Sequence, residues 1–321
     1  AIVAVPLLLK ATRPHYLQAI AEGLYLGAYK FTECKGETKP ATECKLQITS
    51  AVENGEAVLA QAEAIAQGVT LTRNLVNRPG NWVNPVVMAE EAQKVAEAYG
   101  LEIEVLDEKA MAEKGMNAIL AVGQGSKNPP RMITLKYNGA GDAPYTAFVG
   151  KGITFDSGGI SIKPGENMGE MKDDMAGAGA VLGAMQAIAQ MKLPCNIIAI
   201  LSCAENMPGG NAQRPGDLVK AANGKTIEVV NTDAEGRMVL ADAVWYACEQ
   251  GAKRVIDIAT LTGAVIIALG KLVFPWKIIM YAIVVAYLIS VATDKILLGM
   301  ADMVERGIFG ILRFVKLKFV R

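Results

Sequence analysis

The stretch VGKGITFDSGGISIKP, residues 149–164, decides the fold, and two later segments complete it: MKDDMAGAGA at 171–180 and NTDAEGR at 231–237. These segments adjoin apolar runs typical of buried strands and helices. They nevertheless carry many charged side chains, namely Lys151, Asp156, Lys163, Asp173, Asp174, Asp233, Glu235 and Arg237. Burying such charges without compensation costs several kcal/mol per ion. Because dense carboxylates are stable when they share a divalent cation, the sequence predicts a metal site.

Around these segments, apolar strands alternate with helices. The pattern from residue 84 onward comprises a helix from Asn84-Pro85 to Gly100, LEIEVL, a helix from Asp107 to Lys114, AILAVG, RMITLKY, YTAFVG, ISI, a helix from Met168 to Met191, CNIIAILS, TIEVVN, a helix from Arg237 to Gln250, and RVIDIAT. Alternation of this kind predicts an α/β fold in three α/β/α layers, that is, a sheet covered by helices on both faces. Ligands of such sheets bind at the carboxyl ends of the strands.

The N-terminal part reads as a separate unit. Residues 1–70 are predicted to be the remnant of a smaller α/β N-terminal domain, and residues 71–270 the main domain. The remnant would contain a strand in AIVAVPLLLK, a helix from Tyr16 to Tyr29 and a strand over Lys45–Ser50. An Ala-rich helix from Asn54 to Asn77 would then join the two domains.

Composition narrows the function. Lys+Arg and Asp+Glu both number 32, so the formal net charge is zero and gives no global electrostatic case for nucleic acid. The 5 cysteines include no CxxC pair, which is typical of reduced thiols in a cytoplasmic protein. The single histidine, His15, excludes an HExxH zinc site, which needs two. A Ser-His-Asp triad is not predicted either, because the charged segments contain no histidine and FDSGG does not fit the G-x-S-x-G elbow.

The charged residues suggest how the site is built. Asp233, Glu235 and Arg237 are spaced by two, so in an extended segment they would point to one side; helix capping by the two acids is the alternative. A lysine such as Lys151 beside two cations would lose its proton and could act as a ligand. Of the adjacent Asp173 and Asp174, only one can face the site, and we expect it to be Asp174.

Several motifs resemble one family. NTDAEGR, VGKGITFDSGG with SIKP, GQGSKNPPRMITLKYNG and ENMPGGNAQRPGD make the chain similar, over about residues 15–270, to the leucyl aminopeptidases, the M17 peptidases. The resemblance implies that residues 71–270 are an incomplete three-layer α/β/α catalytic domain with a mixed, mostly parallel central sheet. It also implies a cytoplasmic, hexameric enzyme that removes leucine-like N-terminal residues from peptides with a water held between two divalent metals. It implies Zn or Mn, or alternatively Mg or Co. The metal ligands would be Lys151, Asp156, Asp174, Asp233 and Glu235.

The resemblance also implies roles for other residues. Arg237 would hold a catalytic bicarbonate, and Lys163 would stabilise the oxyanion. Met171, Thr260 and Gly263 would line the pocket for the first side chain of the peptide. Such an apolar pocket discriminates only modestly, because one methylene is worth about 1–3 kcal/mol.

The tail, residues 271–321, departs from the family. It is apolar and then basic, and three interpretations stay open: an out-of-frame terminus, a genuine buried or interface helix, or a membrane anchor. Three functional alternatives also stay open, namely a catalytically impaired fragment, a DNA-binding or structural member of the family, and a two-metal phosphoesterase. For the truncated domain we expect weak or absent turnover.

Overall fold

The computed structural model describes residues 13–34, 36, 48, 50–264 and 267. The predicted N-terminal strand, most of the strand predicted over Lys45–Ser50 and the whole tail 271–321 lie outside the described residues. The described part opens with helix α1 (Pro14–Ala28), which packs against helix α2 (Gly55–Asn77). Both helices agree closely with the sequence prediction.

Helix α2 continues without a break through residue 70, the predicted boundary between the N-terminal remnant and the main domain. It packs against helix α6 (Ala176–Gln190), and the two helices meet at Gly68 and Gly183. A Cβ atom on either glycine would lie 2.3 Å from the carbonyl oxygen of the other. Because a side chain on either residue would collide with backbone, the close approach requires both glycines. The domain boundary itself stays a prediction.

The central sheet lies in the middle of the described chain. Its strands are β1 (Glu102–Leu106), β2 (Arg131–Asn138), β3 (Thr146–Asp156), β4 (Asn196–Asn206) and β7 (Arg254–Ile258). They are ordered β1-β2-β4-β3-β7. Strand β2 is antiparallel to both of its neighbours, whereas β3 is parallel to β4 and β7. The sheet is therefore mixed and mostly parallel, as predicted.

Helices cover both faces of the sheet and complete the α/β/α architecture. Alternating residues of β4 show the arrangement, because Ile197 and Leu201 face one core while Ile198 and Ile200 face the other. The first core contains α2, α6 and α3 (Pro85–Tyr99). The second contains α4 (Glu108–Glu113), α5 (Asn117–Gly123) and α7 (Glu235–Glu249). Within the part of the chain that the structure describes, no helix has both the length and the apolar character needed to cross a bilayer.

The ends of α3 follow from its sequence. The side chain of Asn84 accepts hydrogen bonds from the backbone nitrogens of Val86 and Val87, and Pro85 stands at the first helical position. Gly100 ends the helix in the left-handed conformation, with φ 68°. The predicted helix from Asn84-Pro85 to Gly100 is confirmed.

Four segments differ from their predictions. AILAVG belongs to α5 rather than to a strand, because a short apolar run buried on all sides suits either structure. ISI, residues 160–162, forms a turn, and Met168–Met175 is a 3-10 helix that precedes α6. TIEVVN contributes only β6 (Thr226–Glu228), which pairs with β5 (Leu218–Lys220) outside the main sheet.

A buried carboxylate holds α5 in place. Asp242, on α7, is fully buried and accepts hydrogen bonds from the backbone nitrogens of Ala118 and Ile119, at the start of α5. Its other oxygen accepts from the nitrogen of Ala222. One side chain thus satisfies three backbone donors of two other segments, which the apolar pattern of the sequence does not reveal.

We expect Asp242→Ala to destabilise the protein by about 1–3 kcal/mol, because it leaves these backbone donors buried without partners. Urea unfolding followed by circular dichroism measures the free energy of unfolding. Glu249→Gln, an exposed position on the same helix, is the control and should change it by less than about 0.5 kcal/mol. Equal stability of the two variants would show that Asp242 has no such role.

Candidate metal centre

The predicted ligands converge at the carboxyl end of β3. Lys151 lies within this strand and Asp156 ends it, while Asp174 comes from the 3-10 helix Met168–Met175. Glu235 is the first residue of α7, directly after a second 3-10 helix, Thr232–Ala234, that contains Asp233. Segments far apart in sequence therefore meet at the edge of the sheet where the topology predicts a ligand.

Three carboxylates form the centre of the site. Asp156, Asp174 and Glu235 are all buried, and each offers one oxygen within 4.8 Å of the others. Like charges so close together in a buried site repel one another strongly. Burial raises the pKa of Asp174 to about 7, and it also raises the pKa of Glu235. The neighbouring carboxylates raise both pKa values further.

Lys151 provides the positive charge within this cluster. Its side chain is only 2% exposed, and its Nζ atom lies 2.8 Å from Asp174 and 3.0 Å from Glu235. Burial alone would lower the pKa of Lys151, but the two carboxylates raise it above the ordinary value. The amine also donates a 2.8 Å hydrogen bond to the carbonyl oxygen of Thr260. Lys151 is thus held on three sides.

The polar atoms of the cluster fit a divalent cation. Oε2 of Glu235 is buried and has no hydrogen-bond partner among the described residues. Oδ2 of Asp174 lies 2.8 Å from Lys151 but outside hydrogen-bond geometry. Unpaired buried carboxylate oxygens are costly, and oxygen ligands suit divalent ions. The donor set therefore fits a metal ion.

Lys163 and Asp233 lie beside the three carboxylates. The amine of Lys163 is 2.8 Å from Oδ2 of Asp156 and also contacts Oδ1 of Asp233. Burial lowers the pKa of Lys163, but these two carboxylates raise it by more. The side chains of Lys163 and Asp233 remain 21% and 32% exposed, so they form the solvent-facing side of the site.

Arg237 does not lie on the same side of an extended segment as Asp233 and Glu235, although their spacing predicts this. NTDAEGR is not extended: it forms the 3-10 helix Thr232–Ala234 and the start of α7. Residues two apart do not share a face of a helix, so the predicted alignment of Asp233, Glu235 and Arg237 is wrong. Arg237 is exposed and lines an open cavity of about 490 Å³ that also contacts Trp245 and Asp257. It makes no hydrogen bond or ion pair with another described residue.

Of the predicted pocket residues, Thr260 contacts the Asp174 side of the site. The hydroxyl of Thr260 donates to Oδ1 of Asp174 at 2.6 Å, so Thr260 is tied to the cluster through both its side chain and its carbonyl. Met171 is half-buried in the same 3-10 helix as Asp174. Gly263 is exposed, beyond the end of β7.

Two supporting residues were missed. Asn206 ends β4, and its side chain donates to Oδ1 of Asp156 at 2.8 Å and to the carbonyl of Thr232 at 3.1 Å. Thr232 donates through its hydroxyl to the carbonyl of Gly158 at 2.6 Å. Asn206 is a polar residue at the end of an apolar strand, which is a recognisable signal. The predicted strand CNIIAILS ends at residue 202, four residues short of Asn206.

Gly236 makes room for Lys151. A Cβ atom on Gly236 would lie 2.7 Å from Cε and 2.9 Å from Nζ of Lys151. The lysine cannot yield without leaving Asp174 and Glu235. A glycine at the start of α7 is therefore required by packing rather than by backbone conformation.

A buried group of carboxylates around a lysine, at the carboxyl edge of an α/β/α sheet, is the kind of site that can hold a divalent cation. The chain belongs to the cytosol aminopeptidase family: residues 70–275 match the catalytic domain of that family, Peptidase_M17. The predicted fold class and the aminopeptidase family that the motifs indicate are thereby confirmed.

Relatives and a solved structure agree. The chain is 49% identical over 273 residues to a probable cytosol aminopeptidase of Roseiflexus castenholzii, covering 83% of this chain and 56% of the relative. It is 49% identical over 265 residues to the cytosol aminopeptidase of Pseudomonas aeruginosa, covering 79% and 52%. The bottromycin maturation enzyme BotP in complex with Mn superposes with a TM-score of 0.72 at 38% identity, covering 80% of this chain and 55% of that one. The chain thus spans about half the length of these relatives.

We expect Gly236→Ala to destabilise the protein by about 1–3 kcal/mol, although alanine favours helix, because its Cβ would displace Lys151. Gly23→Ala in α1, where nothing lies within 4 Å of the new Cβ, is the matched control and should stabilise by about 0.5–1 kcal/mol. Urea unfolding measures both. A stabilising Gly236→Ala substitution would contradict the packing account.

Proposed function

We propose that this chain carries the catalytic centre of a metal-dependent aminopeptidase, which hydrolyses the N-terminal residue from peptides. The observation that carries the proposal is the cluster of Asp156, Asp174 and Glu235 around Lys151. Family membership supports it. The relatives are named cytosol aminopeptidases, which also favours a cytoplasmic location.

The metal would be held by the carboxylates of Asp156, Asp174 and Glu235 together with the amine of Lys151, which would give up its proton beside the cations in order to coordinate. Asp233 would complete a second position. Two divalent ions, Zn or Mn with Mg or Co as alternatives, would polarise the scissile carbonyl and activate the attacking water. BotP, which is similar in fold and sequence, contains Mn in its solved structure. The assignments of Lys151, Asp156, Asp174 and Glu235 are supported by the burial and proximity of these side chains, whereas that of Asp233 rests on the family resemblance.

The residues of the chain have separate tasks in the proposed reaction. The partly exposed amine of Lys163 would donate to the oxyanion that develops on the peptide carbonyl. Asp174, fixed by Thr260 and Lys151, would bind the free amino group of the peptide, which restricts cleavage to the N-terminus.

Recognition of the remaining groups rests on the family resemblance. Met171, Thr260 and Gly263 would line the pocket for a leucine-like side chain. Arg237, without a partner among the described residues, would bind a bicarbonate. The homo-hexamer stays a prediction, as does weak or absent turnover of a chain that spans half of its relatives.

Metal binding is the first test. We expect Mn²⁺ titrated calorimetrically into the metal-free protein to bind, and Glu235→Gln to weaken the affinity by more than about tenfold, because it removes a charged ligand from a buried site. Glu249→Gln, on the exposed side of the same helix, is the control and should bind like the wild type. Equal affinity of the wild type and Glu235→Gln would remove the ligand assignment.

Turnover is the second test. We expect slow hydrolysis of leucine p-nitroanilide, lost with a chelator and restored by Mn²⁺. Lys163→Gln should lower kcat by about 10²–10³-fold, because an oxyanion donor is removed. Lys109→Gln, exposed on α4, is the control. Hydrolysis of a phosphodiester instead of the anilide would favour the two-metal phosphoesterase.

A further inference from the structure

Asn206 connects two of the segments that supply the metal centre. It is 1% exposed, and its side-chain nitrogen donates to Oδ1 of Asp156 at 2.8 Å and to the carbonyl oxygen of Thr232 at 3.1 Å. Asp156 ends β3, whereas Thr232 begins the 3-10 helix that leads into Glu235. One amide group therefore bridges the two sides of the site.

The backbone of Asn206 strengthens the same connection. Its carbonyl oxygen accepts from the backbone nitrogen of Ser157 at 3.0 Å and from the Ser157 hydroxyl at 2.7 Å. Between Ile153 and Asp156 the register of β3 on β4 shifts by one residue, which brings Asp156 opposite Asn206. Bulges of this kind redirect side chains beside functional sites. The irregularity thus aligns the carboxylate with its amide donor.

The amide fixes Asp156 without cancelling its charge. Oδ1 of Asp156 accepts from Asn206 and from the backbone nitrogen of Gly158 at 3.0 Å, while Oδ2 pairs with Lys163. Both donors to Oδ1 are neutral, so they bring no positive charge that would repel a cation beside it. A carboxylate accepts about four hydrogen bonds, so capacity remains for a cation.

We propose that Asn206 is a positioning residue of the metal centre: it orients the Asp156 carboxylate and holds it at a fixed distance from the segment that carries Glu235. The inference rests on the proposed function, since it concerns the same site. Outer residues that orient metal ligands influence affinity by roughly 10–100-fold.

The chain provides a matched control at the other end of the same strand. Asn196 begins β4 and is 3% exposed, and its side-chain nitrogen donates to the carbonyl oxygens of Gly141 and Ala143, both at 2.7 Å. It is therefore a buried asparagine that bonds to backbone, but it supports a turn remote from the carboxylates. Its loss should affect stability alone.

The experiment compares Asn206→Ala with Asn196→Ala in the full chain. Thermal unfolding of the metal-free proteins measures stability, and calorimetric titration with Mn²⁺ measures affinity. We expect both variants to lower Tm, but only Asn206→Ala to raise the Mn²⁺ dissociation constant, by about 10–100-fold. The electron paramagnetic resonance spectrum at saturating Mn²⁺ should change in Asn206→Ala and match the wild type in Asn196→Ala.

The outcomes separate the inference from the function beneath it. If the wild type binds Mn²⁺ and Asn206→Ala binds within about threefold of it with an unchanged spectrum, the positioning role is wrong while the proposed metal site stands. Equal weakening in both asparagine variants would also overturn it, because the effect would then be structural. Absence of Mn²⁺ binding by the wild type would overturn the proposed function itself. Asn206→Ser, which keeps a donor and removes less volume, applies the same criteria if the alanine variant does not fold.

Discussion

The burial of the Lys151 amine between Asp174 and Glu235 is the interaction on which the rest of the site depends. A lysine buried in an interior strand of a sheet is unfavourable by itself, because its charge loses water. The two carboxylates, also buried, are unfavourable by themselves for the same reason. Each is stable only in the presence of the other, and the strand, the 3-10 helix and α7 that carry them must come together for the charges to be balanced.

That constraint explains the local sequence around the lysine. Gly236 leaves space for the Lys151 side chain. A Cβ atom on Gly177 would lie 2.1 Å from the carbonyl oxygen of Ile258 and 3.0 Å from the backbone nitrogen of Lys151. The helices that start at these glycines can therefore approach β3 closely. Gly236 is needed because the Lys151 side chain occupies the space that a larger residue would fill, and Gly177 is needed because backbone atoms occupy it.

Much of the fold was predictable, because it follows from patterns that act locally. The strands β1 to β4 and β7 are apolar runs, and α3 has a capping asparagine, a proline and a terminal glycine in the expected places. The choice of Asp174 over Asp173 also agrees with the structure, where Asp174 is buried and bonded to Lys151. What failed was the local conformation of short segments. AILAVG is apolar on every side, so its pattern does not distinguish a helix from a strand. The spacing of charges in NTDAEGR suits an extended segment, whereas residues 232–237 are helical.

The contribution of Asn206 and Asp242 could not be read from the sequence for a different reason. Both act through hydrogen bonds to residues far along the chain, and the partners are backbone groups or other side chains whose positions only the fold determines. A single buried polar residue within an apolar segment is visible in the sequence, but its partner is not. Residues of this type are where a three-dimensional structure adds most.

The glycine contact between α2 and α6 has a practical consequence for dividing the chain. Because Gly68 and Gly183 bring the two backbones into direct contact, α2 packs closely on the helix that covers one face of the central sheet. An expression fragment that starts at residue 71 would cut this helix in two and uncover the apolar surface beneath it. A fragment that begins before Gly55 keeps the whole of α2 together with the surface of α6 on which it packs.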